Sequence, residues 1–221
     1  MPLDDPTELF DLYDESGRPL GVTKPRARVH EDGDWHRSVH LWVVLMAAAG
    51  PLILLQRRSL TKDSHPGAVD VSVAGHLRAG ETYAAGVREA EEEIGLVVEP
   101  GDLVRLGTRR NVARRGADYL DRELQEVFFV CSPASLEQLR PDTHEVAGVL
   151  AVALPDAQAL FDGEVGEVTA RELRAHDHTV NVTLRRGELL QGGDDYFALA
   201  LRAITRSLAG GSLGPWPLGP P

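Results

Sequence analysis

The sequence predicts an α+β fold, and three observations predict it. β-rich runs follow one another with only turns between them, one carboxylate-crowded helix interrupts them, and an amphipathic helix comes near the end. Residues 10–21 alternate polar and apolar around Glu15-Ser16-Gly17-Arg18-Pro19 and predict an N-terminal β-hairpin. Residues 39–48, VHLWVVLMAA, are β-branched and aromatic and too short for a typical helix, so they predict a buried strand. Gly50-Pro51 turns the chain, residues 52–56 pair back, and residues 69–73 form a short strand leading into Gly75. A helix over 83–94 stops at Gly95, which suits a left-handed C-terminal cap. Further strands are expected over 103–108, 124–131 and 146–152, with a loop over 109–118. Residues 155–161 read as a short helix opened by Pro155, and the polar segment 166–178 as another. Apolar residues at helical spacing over 196–208 predict a C-terminal helix packed on the sheet. The domain should span 1–209, followed by a Gly/Pro-rich tail, 210–221, expected to be disordered.

Charge and composition narrow the function classes. A formal net charge of −11 argues against broad nucleic-acid or anionic-membrane binding, both of which need basic surface. It leaves room for a small phosphorylated substrate, provided that metal and local arginines overcome the field of the protein. The pairs Arg57-Arg58, Arg109-Arg110 and Arg114-Arg115 are available for that. No run reaches the ~18 apolar residues of a membrane-spanning helix, and MPLDDPTELF lacks a signal pattern. The single cysteine, Cys131, fits a reducing compartment and reads as a small core residue at a strand end. The expectation is a cytoplasmic protein with neither nucleic-acid nor membrane partner; a homodimer stays open.

The chemistry concentrates in residues 75–96, GHLRAGETYAAGVREAEEEIGL. Glu89, Glu92 and Glu93 are spaced i, i+3 and i+4, so a helix stacks them on one face. Such like-charge pairs each weaken a helix by a few tenths of a kcal/mol. A hard divalent cation with oxygen ligands offsets that cost. A glycine turn before the helix lets backbone carbonyls approach the same cation. The arrangement suits attack on a diphosphate, since bound metal neutralises phosphate charge and generates hydroxide near neutral pH. Arg88 is spaced to pair with Glu81 and brace the turn against the helix. The plainer reading of EAEEE is a solvated helical face; its place between a glycine turn and Gly95-Leu96 favours the metal.

Gly75, five residues, Glu81, and then Arg88-Glu89-Ala90-Glu91-Glu92-Glu93-Ile94-Gly95-Leu96 resemble the Nudix box. The resemblance implies a Nudix fold, with a mixed β-sheet sandwiched between helices, and cleavage of diphosphates with Mg²⁺ or Mn²⁺. It implies metal binding by Glu89, Glu92, Glu93 and the Gly75 carbonyl, catalysis through Glu92 and Glu93, and a structural pair of Glu81 and Arg88. Six residues, 82–87, separate that pair where the box has seven. One residue fewer turns the helix by about 100° relative to the turn unless the junction absorbs it. Gly86 inside the helix adds about 1 kcal/mol of weakness relative to alanine.

The flanks resemble the isopentenyl-diphosphate-isomerase-like branch of that family. They include Leu9-Phe10-Asp11, His36-Arg37-Ser38-Val39-His40-Leu41-Trp42, Gln56-Arg57-Arg58-Ser59 with Lys62, and Asp70-Val71-Ser72. Isomerases of the branch bind a metal through histidines and glutamates and use a cysteine just before the Gly-His pair. Here that position is Ala74, which carries no proton, so hydrolysis is favoured over isomerisation. By the same resemblance Glu123 becomes the acidic site residue, as metal ligand or general base, and His76 a metal ligand. Arg57, Arg58 and Lys62 are candidates for binding phosphate. His40 reads as a satisfied core or cleft histidine, His30 and His36 as loop residues, and Glu145 as a lesser candidate. The reading is a Mg²⁺-dependent hydrolase of a nucleoside-diphosphate-type or related small molecule. An isoprenoid diphosphate isomerase and a non-catalytic ligand-binding module are the alternatives.

Overall fold

In the computed structural model, residues 5–62, 65–116, 119–174, 178–190 and 195–214 are described. The chain opens with β1 (Leu9–Tyr13) and β2 (Pro19–Pro25), an antiparallel hairpin, then α1 (Arg26–Asp32). The apolar run becomes β3 (Trp35–Ala47), which turns at Gly50 into β4 (Gly50–Arg58). Two short strands, β5 (Val69–Asp70) and β6 (Val73–His76), precede the helices α2 (Tyr83–Gly86) and α3 (Arg88–Ile94). There follow β7 (Val104–Arg115), β8 (Tyr119–Ser132), β9 (Val146–Ala153) and α4 (Leu154–Asp162). The strands β10 (Glu167–Arg174) and β11 (His178–Arg185) and the helix α5 (Tyr196–Leu208) complete the fold.

The strand β3 organises the sheet. It runs antiparallel to β4 and β6 and parallel to β8 over eleven register pairs, Trp35↔Arg122 to Leu45↔Ser132, so the sheet is mixed. Its period of two divides the core. Trp42 and Val44 pack with Phe161 of α4 and with Phe197, Leu201 and Ile204 of α5. Val39, Leu41, Val43 and Leu45 pack with Ala90 and Ile94 of α3. Each fully buried side chain of this kind contributes about 1.5–3 kcal/mol. The result is a mixed sheet between helices, as the α+β expectation and the resemblance require.

Several expectations need correction. The segment read as a helix over 166–178 is the strand β10, paired to β9 and β11, and residues 175–177 lie outside the described residues. Its sequence misleads because the buried Glu172 carries a charge, which Arg57 pairs across the sheet (2.7 Å) and Arg174 along the same strand (2.6 Å). Of the loop expected over 109–118, residues 109–115 are strand, because β7 continues to Arg115 against β8, and residues 117 and 118 lie outside the described residues. The helix α1, unexpected, buries Val29 and His30. Cys131 is exposed rather than in the core, next to the last residue of β8. Residues 215–221 of the predicted tail lie outside the described residues. No helix among the described residues is long and apolar enough to cross a membrane.

The predicted helix 83–94 is two helices, broken at Val87, whose φ of −68° and ψ of −12° part α2 from α3. Gly86 ends α2, and a Cβ there would meet Leu77 Cδ2 at 2.6 Å and Val39 Cγ1 at 3.0 Å. The glycine therefore permits a close approach of α2 to β3 rather than merely weakening a helix. Gly86→Ala is expected to destabilise the protein by about 1–3 kcal/mol through overpacking, although helix propensity alone favours alanine. Denaturant titration checks the sign.

Candidate functional site

One face of four adjoining strands changes from apolar to polar. Along β3 the face that carries Trp42 continues through His40, Ser38 and His36, by period two. Their register partners on β8 are Val127, Gln125 and Glu123. On β6, Ala74 lies opposite His40 and His76 opposite Ser38. On β7, Arg109 lies opposite Gln125 and Asn111 opposite Glu123. This polar half-face floors a cleft of about 1020 Å³. Gly75, Glu89, Glu92 and Glu93 border it from the box, and Arg58, Lys62 and Tyr196 from its other sides.

The box is held by short-range geometry. The Arg88 guanidinium donates Nε–H to Glu81 Oε1 at 3.1 Å and an Nη2 hydrogen to Glu81 Oε2 at 3.2 Å, and it also contacts Glu89 and Glu92. The Arg78 backbone N–H donates to Glu81 Oε2 at 2.8 Å. The brace thus forms despite the shortened box, with Val87 between α2 and α3. Gly95 closes α3 in the left-handed region, at φ 68°.

Gly75 serves a close approach: a Cβ there would meet Glu89 Cγ and Cδ at 2.6 Å. Gly75→Ala is expected to displace the Glu89 carboxylate and lower turnover by at least about tenfold, while the fold persists. Circular dichroism alongside kinetics checks both halves.

Glu93 is buried, and its Oε2 has no hydrogen-bond partner among the described residues. Burial, and then the charge of Glu89, push its carboxyl well above the usual range, against the pull of Lys62. Glu89 is also raised by burial, with Arg88 opposing. Buried acceptors left without a donor cost about 1–3 kcal/mol each. Acceptor-only oxygens around a glycine backbone match the donor set of a hard divalent cation.

A second group of donors lies at the floor and behind it, of which His76 and Asp121 line the cleft. Nitrogens of His30, His36 and His76 and an oxygen of Asp121 all lie within 4.8 Å of one another. His36 Nε2 stands 3.4 Å and His30 Nε2 3.7 Å from Asp121 Oδ1, too far or misaligned for hydrogen bonds. The three Nε2 atoms and Asp121 Oδ1 are buried without a partner among the described residues. Burial lowers the imidazoles, His30 to about 3, so they are neutral and able to ligate. Burial and the charge of Glu123 raise Asp121 to about 8. Glu123 lies beside this group: its Oε1 is 3.5 Å from His76 Nε2, and Oε2 accepts from Gln125 Nε2 at 2.8 Å and Asn111 Nδ2 at 3.3 Å. Three neutral imidazoles and a carboxylate suit a borderline transition metal.

His76, Glu93 and Glu123 therefore border one cleft, with Arg58 and Lys62. Arg58 lies 3.6 Å from Asp70, and Lys62 contacts Glu145. Arg57 needs correction as a phosphate-binding candidate: Glu172 and Glu188 hold its guanidinium at 2.7 and 2.9 Å, and it does not line the cleft. His30 and His36 need correction too, since neither is a loop residue. His30 is in α1, His36 is fully buried on β3, and both belong to the group that could ligate a metal, as does Asp121, which the sequence did not single out. The alternation of His36, Ser38 and His40 was the available signal, once the strand is extended back to Trp35.

The sequence model of the NUDIX domain matches residues 35–171. The chain is 29% identical over 201 residues to an uncharacterised Nudix hydrolase of Clostridium acetobutylicum, covering 89% of this chain and 97% of that protein. It is 34% identical over 142 residues to an isopentenyl-diphosphate Δ-isomerase of Streptomyces avermitilis, covering 62% of this chain and 67% of that protein. Among solved structures, a NUDIX hydrolase from Alicyclobacillus acidocaldarius superposes with a TM-score of 0.50 at 15% identity, covering 81% and 97% of the two chains. That likeness shows the fold.

Proposed function

We propose, from the premise that this chain belongs to the Nudix family and is a Nudix-type hydrolase, that its substrate is a small-molecule diphosphate cleaved with Mg²⁺ or Mn²⁺. The observation that carries the reading is Glu93, which lines the cleft beside Glu89 and Glu92 and holds a buried carboxyl oxygen without a donor among the described residues. A divalent cation bound there supplies charge neutralisation and an acidified water. The rest is the work of the chain. Arg88 fixes Glu89 and Glu92, Gly75 admits Glu89 against the backbone, and Arg58 and Lys62 offer charge to phosphate oxygens. Glu123, oriented by Gln125 and Asn111, takes the proton of the attacking water or adds a ligand. A nucleoside-diphosphate type of substrate is the first choice, with thiamine-type and prenyl diphosphates as the other classes.

The group of His30, His36, His76 and Asp121 favours a second reading, isomerisation of isoprenoid diphosphates, because branch isomerases ligate metal through histidines and carboxylates. Ala74 weighs against it by removing one of two proton carriers. A panel of the three diphosphate classes, assayed for phosphate release with and without Mg²⁺, tests the first reading. Mg²⁺-dependent release that disappears in Glu93→Gln supports it; no turnover, or turnover indifferent to that substitution, sinks it. Interconversion of the two five-carbon diphosphates would put the second reading first. Metal-independent stabilisation by a ligand without hydrolysis would instead identify a binding module.

A further inference from the structure

The sheet carries a second pocket on the face that packs α3. Register puts Arg37 of β3, Leu124 of β8 and Arg110 of β7 in one row across three strands. Their chain neighbours Ser38, Gln125 and Arg109 line the cleft, so the period of two places this row on the reverse face. The row borders a pocket of about 360 Å³, with Tyr83, Glu126 and Phe128 among its walls. That volume is at the lower end of the range for small-molecule sites.

The charges around this pocket do not balance. Its one carboxylate, Glu126, is already engaged by the Arg105 guanidinium and by the Thr108 hydroxyl at 2.9 Å. Arg37 and Arg110 form no ion pair among the described residues. The Arg37 guanidinium lies 4.2 Å over the Tyr13 ring and 5.1 Å over the Tyr83 ring, which hold it in place but leave its charge uncompensated. Its Nε is buried without a hydrogen-bond partner, and its Nη2 reaches the Gly17 carbonyl only at 3.5 Å. Arg110 is exposed at the other end of the row. In a chain of net charge −11, two uncompensated guanidinium groups on one row form a local anion-attracting patch. A phosphate monoester carries close to two negative charges near neutral pH and offers three acceptor oxygens. One such group matches both cations, and the planar donor fork of arginine suits its oxygens. Tyr83, Leu124 and Phe128 leave apolar surface beside it for an organic body.

We propose that this reverse-face pocket binds a small organic phosphate monoester, its phosphate held between Arg37 and Arg110 and its ring against Tyr83 and Phe128. The pocket lies across the sheet from the metal-binding carboxylates, so its ligand is held there rather than cleaved. The inference does not depend on the hydrolase reading.

Calorimetric titration of the full chain with phenyl phosphate, in EDTA to keep divalent metal out of the cleft, tests it. Wild type should bind one equivalent. Arg37→Met and Arg110→Met should each lower the affinity about 10–100-fold, the loss of hydrogen bonds to a charged group. Should Arg37→Met fail to fold, Arg110→Met, at an exposed position, decides alone. Lys62→Met, which removes a cation of the cleft, should leave the affinity unchanged. Benzoate, with a single charge, and inorganic phosphate, without a ring, should each bind at least about tenfold more weakly. No binding by wild type, or wild-type affinity in Arg110→Met, would overturn the proposal. So would a loss in Lys62→Met, which would place the phosphate in the cleft, or equal affinity for benzoate or inorganic phosphate.

Discussion

Glu93→Gln is expected to turn over the diphosphate about 10²–10⁴ times more slowly than wild type, the range for loss of a group acting on proton or metal chemistry, while folding normally. The substitution keeps shape and removes the charge at a site where the charge is disfavoured. Burial raises the Glu93 carboxyl well above its ordinary value of 4.5. The folded protein therefore holds this proton more tightly than the unfolded chain does. The associated stability is full below about pH 4.5 and is lost as pH rises toward the raised folded value. Near neutral pH the metal-free wild type carries that cost, and the glutamine variant does not. In EDTA the variant should melt at the same temperature as wild type or higher. Added Mg²⁺ should raise the wild-type melting temperature more than that of the variant, since a ligand of the native state stabilises in proportion to its occupancy. Thermal melts with and without Mg²⁺, run beside kinetics, read both effects. Equal turnover, or equal Mg²⁺ stabilisation, would remove Glu93 from the site.

What could be read from the sequence follows how local the cause is. Glu89, Glu92 and Glu93 are legible because one helical turn brings them together, and the amphipathic period of 196–208 gives α5 outright. β3 is legible in its apolar half and not in its polar half, because His36, Ser38 and His40 owe their burial to β6 and β8. β10 is hidden by Glu172, a buried charge made tolerable by Arg57, which lies 115 residues away in the chain. The sequence resemblance marked residue 123 and passed over 121, although period two places both on the same face of β8. The shortened box looked like a threat to Glu81 and Arg88 only while α2 and α3 were one helix. The chain instead forms two short helices joined at Val87, and the Glu81–Arg88 pair is made across them.

The strongest consequence of the non-local half of the site is a metal content that His36 controls. Metal-stripped wild type, exposed to Co²⁺ or Mn²⁺ and desalted, should retain about one equivalent on His30, His36, His76 and Asp121. His36→Asn and Asp121→Asn should lose it. Removing only a hydrogen-bonding partner of a metal ligand commonly costs 10–100-fold in affinity, so losing a ligand should cost at least that. The reason lies in the unmet valences. Three imidazole nitrogens and a carboxylate oxygen are buried together without donors or acceptors among the described residues, and a cation satisfies all four at once. Visible absorption of the Co²⁺ form reports the site without reference to turnover, because nitrogen ligands set the energies of the bands. Glu93→Gln supplies the control that separates the two donor sets. It removes a carboxylate from the box and leaves the imidazoles intact, so the cobalt band should persist where diphosphate hydrolysis has gone. A band that vanishes in Glu93→Gln and survives in His36→Asn would place the transition metal on the box carboxylates instead. The histidines would then be packing residues against Phe10, whose ring stacks on those of His36 and His76 at 5.2 and 5.0 Å.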